Sequence, residues 1–206
     1  MGEPSKYAAD DEAWKDRRFH VSGFGGQMLA GTDLGLVDNI FFRVQLKTGD
    51  ATLWGGRFGW VFASRFDLEL EFGQSSPGLV ATLTDLQGRN KTEVPFADLK
   101  LTYVMGVVNY SMIDRTKRVV PYLSLGLGMV RADSDDENIV QAREPGIIFG
   151  AGLRVRIIDL IAFRGDVRGM RSGFGTKQPF EDLPGVFTGS YTASNLLWSV
   201  GLDIRF

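Results

Sequence analysis

Residues 54–73 read WGGRFGWVFASRFDLELEFG. From Phe66 to Gly73, apolar and acidic side chains alternate without a break. In an extended strand Phe66, Leu68, Leu70 and Phe72 fall on one face, and Asp67, Glu69 and Glu71 on the other. A helix would mix these two sets, so the period of two decides for a strand. In the first half Trp54, Phe58, Trp60 and Phe62 share a face opposite Arg57. The link Ala63-Ser64-Arg65 is short enough for an antiparallel hairpin.

The same alternation returns along the chain. In 98–108, Leu99, Leu101, Tyr103, Met105 and Val107 oppose Asp98, Lys100 and Thr102. In 122–130, Leu123, Leu125, Leu127 and Met129 oppose Ser124, Gly126 and Gly128. In 147–157 an apolar set from Ile147 to Ile157 opposes Gly150, Gly152, Arg154 and Arg156. Ile161, Phe163 and Val167 oppose Arg164, Asp166 and Arg168, and the set from Leu196 to Phe206 opposes Ser199, Gly201, Asp203 and Arg205. A glycine-rich segment, 20–30, supplies an eighth strand whose facing is ambiguous. Each segment is about 8–11 residues, the length of a tilted strand crossing a bilayer.

Connections alternate in length. Short links fall at 63–65, 112–119 and 158–160, and long ones at about 31–51, 75–93, 132–144 and 173–194. This is the pattern of an all-β, eight-stranded, antiparallel up-and-down transmembrane barrel, with both chain ends on the short-turn side. The expected division is an extension over 1–17, flexible or a short helix, and a barrel over 18–206.

A soluble, lipocalin-like barrel could also show two such faces, with the apolar one inside. The Gly and Ser on the charged face (Ser124, Gly126, Gly128, Gly150, Gly152) favour the inverse, because small residues suit a crowded interior. The lumen would then hold Arg57, Lys100, Arg154, Arg156, Arg164, Arg168 and Arg205 against Asp67, Glu69, Glu71, Asp98, Asp166 and Asp203. Near balance implies mutual pairing, since an unpaired buried charge costs several kcal/mol. A salt-bridged plug is expected in place of an open pore.

Composition agrees. The chain has 206 residues, 44% hydrophobic and 23% charged, which is not a disordered composition. A net charge of −2 and the lack of a basic stripe give no reason to expect nucleic acid. No cysteine is present, which excludes disulfides, a thiol nucleophile, a Cys-based zinc site and a lipoprotein anchor. No run of 18 apolar residues offers a transmembrane helix. The polar start, Met1-Gly2-Glu3-Pro4, is expected to be that of a mature chain with an initiator Met added for expression.

Three stretches, 54–73, VVPYLSLGLGMVRA (119–132) and GIIFGAGLRVRIIDLIAFRGDVR (146–168), together resemble the OmpA-like superfamily of small eight-stranded outer-membrane barrels. The chain end, Ser199-x-Gly201-x-x-Ile204-x-Phe206, is similar to the signal read by the outer-membrane assembly machinery, with Ile204 where an aromatic is common. The resemblance covers about 18–206. It implies a bacterial outer-membrane location with periplasmic termini. No peptidoglycan-binding domain is expected after the barrel, so cell-wall anchoring is not carried over.

The residues point to little chemistry. His20 is the single histidine, and Ser22 shares its face. Some small outer-membrane barrels that modify lipid A use a His with a Ser and an acid. The plainer reading is a histidine at the periplasmic rim. Asp133, Asp135, Asp136 and Glu137 could hold a hard cation or bridge it to lipopolysaccharide, but they lack EF-hand spacing, and a solvated acidic loop is the plainer reading. Trp54, Trp60, Tyr103, Tyr110, Tyr122 and Trp198 are candidates for interfacial girdles, with Tyr122 able to point inward instead. The apolar residues of 176–194 are expected to pack over the barrel mouth.

The expected function is therefore non-enzymatic, structural or surface-interacting, with no cofactor or metal. The expected partners are outer-membrane lipid, lipopolysaccharide and, during biogenesis, the assembly machinery. The expected state is a monomer. A small porin or conduit for ions or hydrophobic molecules is the first alternative, and a lipid A-modifying enzyme the second.

Overall fold

The computed structural model describes residues 17–30, 33–38, 42–85, 91–134, 141–174 and 191–206. The extension 1–16 and most of 176–194 lie outside them. The strands are β1 (Phe19–Ala30), β2 (Asp33–Asp38), β3 (Phe42–Thr48), β4 (Ala51–Val61), β5 (Phe66–Ser75), β6 (Gly78–Asp85), β7 (Lys91–Ser111), β8 (Val119–Ser134), β9 (Gln141–Arg156), β10 (Ile161–Phe174) and β11 (Tyr191–Arg205).

Eight of them close a barrel in the order β7-β5-β4-β1-β11-β10-β9-β8, with β8 returning to β7, and every pairing is antiparallel. The chain ends close one seam: Phe19 and Phe206 exchange backbone hydrogen bonds of 3.1 and 3.0 Å. The tight turns lie at this same end. Ala63 and Phe66 bond reciprocally at 3.3 Å, as do Ile158 and Ile161 at 3.2 Å. In the third turn the Asp114 carboxylate accepts from the Thr116 N–H at 3.0 Å.

At the other end two segments expected to be loops prove to be strand. β2, β3, β6 and the first part of β7 form a four-stranded sheet that continues past the barrel rim. The signal was local alternation, as in Arg43-Val44-Gln45-Leu46-Lys47-Thr48. β7 is 21 residues long, roughly twice what a bilayer needs. Pro95 has no N–H to give the ladder, and the register shifts beside it, between Leu79 and Val80.

The apolar sets face outward. Leu125, Leu127, Phe149, Val167, Leu202 and Ile204 are all at least half exposed on the outer wall. Burying apolar surface is worth about 25 cal/mol per Å², so a wall built this way belongs in lipid. A soluble, inward-apolar barrel is ruled out. At the turn end this wall carries aromatics: Phe19 stacks near Phe58 and Phe206 at 6.1 and 6.2 Å, and Phe66 lies 5.1 Å from Tyr110.

One strand reverses the expected facing. On β7, Leu99, Leu101, Tyr103, Met105 and Val107 point inward, and Asp98 and Lys100 are exposed outside. Those two residues therefore do not belong to the lumen. Both parities of Tyr103 to Val108 are apolar, so alternation alone cannot orient this strand. Asn109 and Ser111, buried at the turn end, fix it. Tyr103 and Tyr122 likewise point inward and are removed from the girdle, whereas Trp54, Trp60 and Trp198 stay on the outer wall.

Met105→Ala, at 0% exposure, should lower unfolding stability in lipid vesicles by about 2–5 kcal/mol. Val104→Ala, on the lipid side, should cost under about 1 kcal/mol. Urea titration followed by tryptophan fluorescence compares them, and the opposite ranking would restore the facing of β7 expected from the sequence.

Candidate functional site: a charged layer beneath an apolar one

The lumen side chains come from alternate positions of eight strands, so each strand contributes to two levels. Near the turns sit five buried arginines, Arg57, Arg154, Arg164, Arg168 and Arg205, and five buried carboxylates, Asp67, Glu69, Glu71, Asp166 and Asp203. Arg156 is half-buried at the turn-side rim. Above this layer lie Met28, Leu53, Leu101, Met105, Val130, Ile148, Met170 and Leu197. The apolar layer was not expected from the sequence. It depends on the inward face of β7.

The ion pairs cross the bore. β5 and β10 stand four strands apart in the ring of eight, directly opposite one another. Arg164 of β10 reaches Glu69 of β5 at 2.5 Å, and Arg168 pairs with Glu71. Arg57 adds bonds to Glu71 at 2.7 Å and Asp166 at 3.1 Å, and Arg168 meets Asp166 at 2.9 Å. Arg154 binds Asp203 at 2.8 Å and approaches Asp67 and Glu69 at 3.5 and 3.6 Å.

Neutral groups complete the network. Asn109 donates to Asp67 at 2.6 Å, and the Tyr103 hydroxyl donates to Glu71 at 3.0 Å. The Tyr122 hydroxyl donates to Asp166 and accepts from Arg164 Nε at 2.5 Å. Tyr103 and Tyr122 need space, and glycines supply it: a Cβ on Gly73 would overlap the Tyr103 phenol, and one on Gly152 the Tyr122 phenol. The Arg57 guanidinium lies 4.0 Å from the Phe24 ring centroid, where the charged layer gives way to the apolar one. Tyr122 was legible, because it shares parity with Ser124. Tyr103 was not.

His20 is fully buried and turned inward, and its Nε2–H donates to Glu69 at 2.9 Å. It sits at the turn end of β1, opposite Arg205 of β11, and is part of the charged layer. With Asp67 and Glu69 it forms the one cluster among the described residues with donor atoms close enough for a metal. Arg164 and Arg154 already hold these carboxylates, and two fixed cations there oppose a third.

The remaining candidates are peripheral. Asp133, near the end of β8, pairs with Arg131 at 2.8 Å, and Asp135, Asp136 and Glu137 lie outside the described residues. In the terminal motif Ser199 and Gly201 face inward, while Ile204 and Phe206 lie on the outer wall.

Arg164→Met should cost about 3–5 kcal/mol, because it strands buried carboxylates. Glu69→Gln added to it should recover part of that loss. A double-mutant cycle by urea unfolding in vesicles measures the coupling, and additive losses would show that the cross-bore pair contributes nothing.

No family model matches the chain, and no curated protein does. Solved structures do. Neisserial surface protein A is 16% identical, with 91% of this chain and 97% of that one covered at a TM-score of 0.60. The outer membrane protein OprG from Pseudomonas aeruginosa is 13% identical, with 92% and 96% covered at 0.61. The outer membrane protein AlkL, solved in lipid bilayers, is 16% identical, with 92% and 90% covered at 0.51. At such identities the likeness is one of fold, and the chain has the fold of the small outer-membrane β-barrels.

Proposed function

We propose that the chain is a non-enzymatic outer-membrane anchor that acts through its outer surface and loop-side structure. The observation that carries this reading is the filled lumen: a salt-bridged layer lies under an apolar layer, and together they occupy the bore. The short turns and both termini would face the periplasm, and the long connections and the β2-β3-β6-β7 sheet the exterior. Lipopolysaccharide contact at that end, a monomeric state, OmpA-like ancestry and an extension over 1–17 belong to the same reading. So does recognition of Ser199, Gly201, Ile204 and Phe206 by the assembly machinery. β11 carries that motif and also closes the seam with β1, which suits a strand that completes assembly.

The apolar layer supports a second reading, a conduit for hydrophobic molecules. An ion path is disfavoured by the cross-bore pairs. A lipid A-modifying role for His20 and Ser22 is disfavoured by position, because both are buried inside the wall that faces lipid.

Planar-bilayer recording tests the leading reading. The wild-type barrel should show no resolved single-channel steps, and regular openings at neutral pH would favour the porin alternative. Folding supplies a second measurement: β-rich circular dichroism and heat-modifiable gel mobility should appear only with detergent or lipid.

A further inference from the structure

Asp98 and Lys100, which the facing of β7 moves out of the lumen, stand on the outer wall beyond its apolar band. They have neighbours of similar character. The outward ladder of β8 runs Leu123, Leu125, Leu127, Met129 and then Arg131. On β9 it rises through Phe149, Ile147 and Pro145 to Arg143, and on β10 through Val167 and Gly169 to Arg171. Four consecutive strands, β7 to β10, thus place an exposed cation at the loop-side margin of the lipid-facing wall: Lys100, Arg131, Arg143 and Arg171.

Arg131 and Arg143 are direct cross-strand partners. Side chains so placed have Cβ atoms about 4.5–5.5 Å apart, and like charges there repel. An anion held between the two guanidinium groups turns that repulsion into attraction. Asp133 partly neutralises one of them, accepting from Arg131 Nε. With Asp98 and Asp133 counted, the described belt still holds four cations against two carboxylates.

The location selects the anion. Guanidinium forks match phosphate oxygens, and the boundary between apolar wall and polar rim is the level of lipid headgroups. Just inside that boundary, beside Arg171, an apolar groove lies between Phe149, Gly169 and Leu196. Gly169 has no side chain, and the Phe149 ring lies over it.

We propose that Arg131 and Arg143, flanked by Lys100 and Arg171, bind the phosphate of an anionic lipid in the loop-side leaflet, with an acyl chain against the β9–β10 wall. This rests on the bilayer reading above and names the partner of its outer surface.

Native mass spectrometry of the full chain in phosphatidylcholine nanodiscs doped with lipid A tests it. Wild type should retain lipid A. Arg131→Gln or Arg143→Gln should weaken retention about fivefold, and the pair about twenty-five-fold. Arg65→Gln with Arg118→Gln removes the same charge at the turn end and should leave retention unchanged. Equal loss in this control, or no loss in the belt variant, overturns the proposal. Displacement of the lipid by excess inorganic phosphate would assign the site to small anions and also overturn it. Heat-modifiable mobility is read on each sample. A chain that forms the barrel yet fails to retain lipid A removes the belt alone, and a chain that never forms the barrel in lipid removes the bilayer reading and the belt with it.

Discussion

The structure depends on charge pairs that span its diameter. β5 presents Asp67, Glu69 and Glu71 at successive inward positions, and β10, directly opposite, answers with Arg164 and Arg168. Taking such groups from water costs several kcal/mol per ion, which only close pairing with further hydrogen bonds offsets. Here each of these carboxylates is met by an arginine and by a neutral partner or a second cation. The same pairs fix register. A slip of one residue on β5 would push three carboxylates into lipid and draw Leu68 and Leu70 into the charged layer. Through its ladders with β4 and β7, that register passes to the neighbouring strands.

Most of the architecture was legible because charge marked the inward face. On β5, β9, β10 and β11 an alternating Arg, Asp or Glu left one facing possible. β7 lacked that mark where it crosses the bilayer, since Tyr103 to Val108 is apolar on both parities. The charges that seemed to orient it, Asp98 and Lys100, sit where the strand leaves the lipid, and there an outward charge costs little. Parity is informative only at a depth where the wrong choice is expensive. Asn109, beside Asp67 of β5, and Ser111, both at the turn end, carried the better signal. The loop-side sheet was missed for a related reason. A strand outside the membrane shows alternation without the apolar face that identifies a lipid-facing one.

The reversed β7 changes the lumen's meaning. With Leu99, Leu101, Met105 and Val107 inside, the bore is not a continuous polar column. It is a polar layer that sets register and an apolar layer that packs like the core of a soluble protein. Tyr103 joins the two, and Tyr122 lies within the polar layer, each with its ring in space left by glycine and its hydroxyl on a carboxylate. Within the charged layer His20 is tied to Glu69.

A barrel filled in this way puts weight on its outside. That outside is asymmetric. The turn end carries Phe19, Phe66, Tyr110 and Phe206 on the wall, with Arg65 and Arg118 in the turns themselves, and the loop end carries arginine and lysine on four neighbouring strands of the wall. Aromatic rings sit at a membrane interface whatever the headgroup, whereas a basic margin discriminates, because it favours phosphate-rich, anionic headgroups. The two ends of the wall are therefore suited to two chemically different leaflets. Under the proposed reading, an asymmetric bilayer would favour one orientation of this barrel through its outer wall as well as through its loops.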